Sequence, residues 1–267
     1  MSTFHVVIRC FVLALLLAAC AHAPQTQSTR LLQAIDLNQQ GEKAFRHHEY
    51  QIAIENFQAS LLLNESLENP DGIAINRINL AKSYQAIDHL DEAHHMVDQL
   101  LQDSVLHFPD IYLAAAATQK SLLLLSRNEI AEAVNWIDKA ANWCKPCSML
   151  GTIYNVRSNI ALRSNDAVAA AHWAELALKE NKGSSQIEYA NSLRLLARVK
   201  LSGNDAQAAL PLLEEALALD KTLGLPEKIA YDLKIMADAY LVLGNANAAS
   251  NYLERARRVS GILLKTE

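Results

Sequence analysis

The chain has 267 residues, 51% hydrophobic and 20% charged, with 24 Lys+Arg against 29 Asp+Glu and a net charge of −5. A mildly acidic chain without basic runs argues against nucleic acid or an anionic lipid surface as the main partner. The first stretch in chain order is the N-terminus, where Arg9 and the free amine make a short positive region. An eight-residue apolar run from Cys10 to Leu17 follows, and the stretch ends in Leu17-Ala18-Ala19-Cys20. That is the pattern of a signal peptide over 1–19, and its apolar run is too short to span a bilayer.

Leu17-Ala18-Ala19-Cys20 resembles the lipobox of bacterial lipoproteins. The resemblance implies cleavage before Cys20 and acylation of its thiol. Two or more acyl chains would hold the protein at a membrane where one does not. An ordinary cleaved signal with a chance cysteine and an uncleaved apolar first helix are the alternatives. The processed chain would begin at Cys20 and carry 23 Lys+Arg against 29 Asp+Glu, a net −6. Ala21 replaces the Asp that such families associate with inner-membrane retention, which points to the outer membrane, facing the periplasm. Residues 21–30, AHAPQTQSTR, lack apolar periodicity and read as a flexible tether.

From residue 31 to about 260 the chain repeats. A small residue is followed by another twelve positions on and a third seven further: Gly41, Ala53, Ser60; Ala81, Ala93 and an imperfect Leu100; Ser121, Ala133, Ala140; Ser158, Ala170, Ala177; Ala197, Ala209, Ala216; Ala237, Ala249, Ala256. The middle alanines are spaced by 40, 40, 37, 39 and 40 residues. Each window has apolar residues at helical spacing on both sides of a polar turn. The turns hold His47-His48-Glu49, Asp88, Asn128, Asn165-Asp166, Gly203-Asn204-Asp205 and Gly244-Asn245, whose Asn and Asp side chains are expected to cap the second helix. Pro- and Gly-containing stops separate the windows, among them Asn69-Pro70-Asp71-Gly72 and Gly224-Leu225-Pro226. Pro211 falls early in the second helix of the fifth window, where it should kink that helix or delay its start.

Small residues at these positions let two antiparallel helices approach closely and let the next pair seat in the same seam. The stretches LAKSYQAIDHLDEAHHMVDQL and MADAYLVLGNANAASNYLERA, with Tyr84 and Tyr240 as their aromatics, resemble tetratricopeptide (TPR) repeats. The period is longer than the usual 34 of that family. The resemblance implies an all-α, right-handed helix–turn–helix solenoid of about six repeats and about twelve helices over 31–260, with a short tail at 261–267.

Catalytic signatures are sparse. No Gly-rich phosphate loop, G-x-S-x-G elbow or H-E-x-x-H motif is present, and no cofactor is expected. His89, His94 and His95 cluster with Asp88, Asp91 and Glu92; they could ligate a metal or simply form a solvated turn. Trp143-Cys144-Lys145-Pro146-Cys147 resembles the active-site stretch of thioredoxins, yet a helical pattern over 130–143 precedes it and no strand pattern surrounds it. Haem attachment would need a His where Ser148 stands, and zinc would need two further ligands. If Cys10 is removed and Cys20 acylated, Cys144 and Cys147 are the remaining pair, suited to one disulfide in an oxidising compartment. A structural clasp at a repeat junction is expected. A free dithiol, a redox-active pair and an intermolecular link stay open.

In the TPR family the first helix of each repeat lines the concave face. The resemblance therefore places Asn155, Asn159, Arg163, Asn191, Arg194, Arg198, Tyr231, Lys234 and Asp238 along that face. Asn155/Asn159, Arg194/Arg198 and Lys234/Asp238 are each one helical turn apart and share a face. A stripe rich in amides and cations suits a carboxylate, a peptide C-terminus or an acidic segment; ordinary solvated polar residues are the alternative. Phe45, Ile75, Ile78, Leu122 and Leu125 suggest a more apolar lining, or core, in the first three repeats. The expected function is a non-enzymatic, lipid-anchored scaffold for a protein or peptide at the cell envelope. A periplasmic thiol–disulfide protein using Cys144 and Cys147 is the alternative.

Overall fold

The structure is a computed structural model and describes residues 28–263. The signal stretch, Cys20 and most of the tether lie outside the described residues. Those described form twelve α-helices and no strand. In chain order they are α1 (Thr29–Arg46), α2 (Tyr50–Ser66), α3 (Pro70–Ala86), α4 (Leu90–Leu101), α5 (Asp110–Ser126), α6 (Ile130–Trp143), α7 (Leu150–Arg163), α8 (Ala167–Asn181), α9 (Gln186–Ser202), α10 (Ala206–Leu223), α11 (Pro226–Val242) and α12 (Ala246–Leu263). The chain enters α1 through Ser28, whose hydroxyl accepts the Leu31 N–H at 3.1 Å, so Thr29 and Arg30 of the expected tether are helical.

Successive helices pair into six hairpins, each closed in the same way. His48, Asp88, Asn128, Asn165, Asn204 and Gly244 occupy the same turn position with φ between 58° and 72°. This left-handed conformation favours Gly and tolerates Asn, Asp and His. In the first hairpin the Glu49 N–H reaches back to Ala44 O at 3.0 Å and the His48 N–H to Phe45 O at 3.1 Å, a Schellman closure. Equivalent pairs of bonds close the other five. Sequence reasoning treats every turn Asn and Asp as a helix cap; the structure divides them. Asp88, Asn128, Asn165 and Asn204 supply the left-handed residue, whereas Asp166, Asp205 and Asn245 accept N–H bonds from Ala169, Ala208 and Ala248.

All of the repeated small positions are buried, Leu100 included. Gly41 shows why size matters: a Cβ there would lie 2.6 Å from the Phe57 ring. Pro211 lies inside α10, which still starts at Ala206 behind its Asp205 cap, so the start is not delayed.

Each helix touches its neighbours along the chain, and the first helices of successive hairpins also touch one another. The second helices do not. The inner layer is therefore α1, α3, α5, α7, α9 and α11, and the solenoid curves towards it. The core is a succession of clusters shared by adjacent helices. Ile78 and Leu125, read as lining or core, are core; Ile75 is half-buried.

Cys144 caps the C-terminus of α6 and is disulfide-bonded to Cys147, with the Cα atoms 4.9 Å apart. The bond sits at the junction of the third and fourth hairpins. Cys144 is buried, and Trp143 and Met149 pack half-buried against the same core cluster. No helix among the described residues is long and apolar enough to cross a membrane.

Candidate functional site

The inner layer carries a simple register. The residue just after each hairpin's first small position is Glu42, Lys82, Leu122, Asn159, Arg198 or Asp238. Glu42 and Lys82 line one concave cavity, together with Phe45 and Asn79. Leu122, Asn159 and Arg198 line a second, of about 280 Å³, which spans α5, α7, α9 and α11. Asp238, on the last inner helix, is exposed and lines neither.

The larger cavity gathers six of the residues expected on the concave face: Asn155, Asn159, Asn191, Arg194, Arg198 and Tyr231. They differ in what they can offer. Asn155 is only 5% exposed and its amide is fully engaged. It donates to Glu188 O at 3.0 Å and Glu188 Oε2 at 2.9 Å, and accepts from the Ser192 hydroxyl at 2.8 Å. Arg194 is 4% exposed. Its Nε donates to Asp232, its Nη2 to Asp220 and its Nη1 to Asn191 Oδ1 at 2.7 Å. The expectation that Arg194 grips a partner's carboxylate is therefore corrected: its fork is occupied by two carboxylates of the fold. Asn155 and Arg194 hold the same register, three positions before the small residue, where the next inner helix covers the side chain. Lys234 has that register too, but α11 is the last inner helix described, and Lys234 is exposed outside the cavity. Arg163 also lies outside it, donating to Leu125 O at 3.0 Å and so satisfying a carbonyl at the end of α5.

Arg198 keeps a cation at the cavity wall, bonded only loosely to Asn159 Oδ1 at 3.3 Å. Tyr231 stands at the rim, 43% exposed, with its ring over the Arg194 guanidinium at 5.9 Å. Sequence reasoning missed Lys228 and Glu188, which complete the wall. Each lies in the first turn of its helix, nine positions before the small residue, so the repeat register held the signal. Lys228 Nζ is 3.5 Å from Asn191 Oδ1. Burial first, then the Arg194 charge, hold its ammonium below the ordinary lysine range, against the pull of Glu188, Asp220 and Asp232. Beneath the wall, burial pushes the Asp220 carboxyl up to about 6; Arg194 opposes the shift and neighbouring Asp232 adds to it. In the first cavity, burial lowers Lys82, while Glu188 and Glu42 act in the other direction. Glu188 on α9 thus acts electrostatically on Lys82 of α3. Chemically, the larger cavity can hold an anionic or hydrogen-bonding chain between amides, one loosely held guanidinium, one amine and the apolar flanks of Leu122, Val156 and Leu195.

The histidine cluster disperses. Asp91 pairs with Arg127, and His89 lies 3.6 Å from Glu92. No group of three His, Cys, Asp or Glu residues placed to hold a metal occurs among the described residues.

No family model matches the chain, and no curated protein matches it in sequence. Solved structures do. A Rap protein complexed with competence and sporulation factor superposes with a TM-score of 0.62 at 13% identity, over 86% of this chain and 66% of that one. PilW, a type IV pilus biogenesis factor, gives 0.58 at 20% identity, over 84% and 92%. TPR-like repeats of a putative kinesin light chain from Podosopora anserina give 0.50 at 18% identity, over 71% and 95%. At these identities the likeness establishes the fold alone: an all-α solenoid of TPR-like helix–turn–helix repeats.

Proposed function

We propose that this protein is a non-enzymatic adaptor that binds a protein or peptide segment along its concave groove. The cavity on the inner layer carries this reading. Its amides and its two cations, Arg198 and Lys228, stand on three inner helices, α7, α9 and α11, that the stacked repeats hold in place. Preorganised side chains of this kind recognise a chain without ordering themselves first. Acidic segments or a terminal carboxylate suit the two cations, with Glu188 setting a limit on the charge accepted. The Rap protein solved in complex with competence and sporulation factor shares this fold, which supports the reading.

The lipobox at Leu17-Ala18-Ala19-Cys20 supports anchoring through an acylated Cys20, with the solenoid on the periplasmic side of the outer membrane. The redox alternative has less support. Cys144 is buried at the end of a helix in an all-helical surround, which fits a clasp between repeats.

Cross-linking in the native cell, followed by mass spectrometry of captured proteins, tests the adaptor reading. A reproducible partner that is lost from Arg198→Glu/Lys228→Gln while the variant stays folded is the expected result. Equal capture by the variant would remove the groove from consideration.

A further inference from the structure

The first hairpin meets the last. Tyr50 opens α2, Glu227 lies in the first turn of α11, and the Tyr50 hydroxyl donates to Glu227 Oε1 at 2.7 Å across 177 residues of chain. His48 Nδ1 is 3.1 Å from the same carboxylate oxygen and 2.8 Å from the Tyr50 oxygen. With the phenol proton directed at Glu227, Nδ1 must carry its own proton and share it between the two oxygens.

Among the described residues, the stacking of the repeats does not itself require this meeting. Apart from this junction, the backbones of the described helices approach only those of the next or next-but-one helix, so stacking alone would leave the ends of the solenoid apart. The hydrophobic clusters each join neighbouring repeats, and none combines residues of the first and last. The bonds that join the ends are polar, and the Glu227 side chain is 54% exposed.

The two sides of the junction differ. His48 is held in its left-handed turn, and Tyr50 is buried edge-on against Phe45 at 5.4 Å. That side is built in advance. Glu227 comes from a helix N-terminus, where a carboxylate is favoured, and water can solvate it when it leaves. Separation would expose polar groups and little apolar surface.

We propose that the His48–Tyr50–Glu227 junction is a latch that closes the six repeats into a ring around the groove and opens to admit the partner. The inference rests on the groove as the binding site. Closed, the groove is reached from its two ends, so an extended segment enters end-first and a folded partner waits for the latch to open. Each repeat contributes a small rotation, and the sum over six repeats moves the first hairpin relative to the last without breaking any repeat.

Double electron–electron resonance on the full chain tests the latch, with Cys10 and Cys20 replaced by serine and nitroxide labels at Gln51→Cys and Thr222→Cys, both exposed. The intact latch is expected to give one short distance. Tyr50→Phe/Glu227→Ala should raise a second, longer population at least tenfold, with circular dichroism unchanged. Should the double variant lose helicity, the single Glu227→Ala, at an exposed site, decides the matter. An unchanged distribution in the variant, or a long-distance majority with the latch intact, overturns the proposal. The measurement needs no partner, so its failure is separate from a failure of the binding reading, which the cross-linking experiment reads.

Discussion

Arg194 on α9 donates its Nε–H to Asp232 on α11, and both side chains are buried under the cavity wall. The same guanidinium reaches Asp220 on α10 and Asn191 on its own helix, so one side chain ties three helices together. Removing it leaves two buried carboxylates without their cation. Breaking such a pair costs about 3–5 kcal/mol. Arg194→Met should therefore lower the melting temperature by on the order of 10 °C, read by thermal circular dichroism. A variant melting within a degree or two of the parent would mean that the two carboxylates find another arrangement.

Asp220 gives this region a pH dependence with a definite sign. Its carboxyl ordinarily titrates near 3.8 and is pushed up to about 6 in the fold, chiefly by burial. Arg194, Asp232 and Lys228 are the charged groups that face it. Between those two values the unfolded chain gives up the proton while the folded chain keeps it. The contribution to stability is thus fully present below pH 4 and is lost as pH rises through 6. Asp220→Asn should remove this component, so that the stability of the parent relative to the variant grows as pH falls from 7 to 4.5 in urea titrations. Parallel pH profiles would refute the assignment.

The cavity cations make separate predictions from Arg194. Arg198→Glu/Lys228→Gln leaves the three-helix tie in place and should melt within a few degrees of the parent. It should nonetheless lose the cross-linked partner at least tenfold. Arg163→Glu and Lys234→Glu, outside the cavity, should retain it. Loss of partner from the outer pair but not from the inner pair would move the binding surface away from the concave face.

What was legible in the sequence followed the repeat. A twelve-then-seven spacing of small residues, with Leu100 the one large exception, marks the seams of the hairpins, because small side chains permit close approach, and each of those positions is buried. The same register also reveals Lys228 and Glu188 once the inner layer is known. The fate of Arg194 was harder to read. An arginine one turn from Arg198 looks like a partner-facing residue, and its burial depends on Asp220 and Asp232, which arrive from two other helices 26 and 38 residues away. The Tyr50–Glu227 junction was illegible for a different reason. It depends on the summed rotation of six hairpins, and no local pattern carries that sum.

The Cys144–Cys147 bond closes a very short loop, so its entropic effect on the unfolded chain is small, about 2 kcal/mol. Cys144→Ala/Cys147→Ala should melt a few degrees lower and capture the partner as before. A clasp also predicts no catalysis: the purified protein should not accelerate insulin reduction by dithiothreitol. Clear reductase activity that vanishes in the double variant would restore the redox reading, despite the helical surround.

The proposed anchor rests on Cys20, and no described helix is long and apolar enough to cross a membrane. Acylation at that thiol should allow metabolic labelling with a palmitate analogue and should hold the protein in the membrane fraction after a high-salt wash. Cys20→Ser keeps the side chain polar and small but removes the acyl acceptor. The variant should lose the label. Two chains are needed for stable attachment, each buried methylene contributing about 0.8 kcal/mol, so loss of the modified cysteine should also weaken membrane retention strongly. Because Cys20 lies ahead of α1, separated by the short stretch that ends at Ser28, the helical fold should be untouched and circular dichroism of the variant should match the parent. Continued labelling of Cys20→Ser would place the lipid elsewhere, and an unlabelled parent would leave the segment as an ordinary cleaved signal.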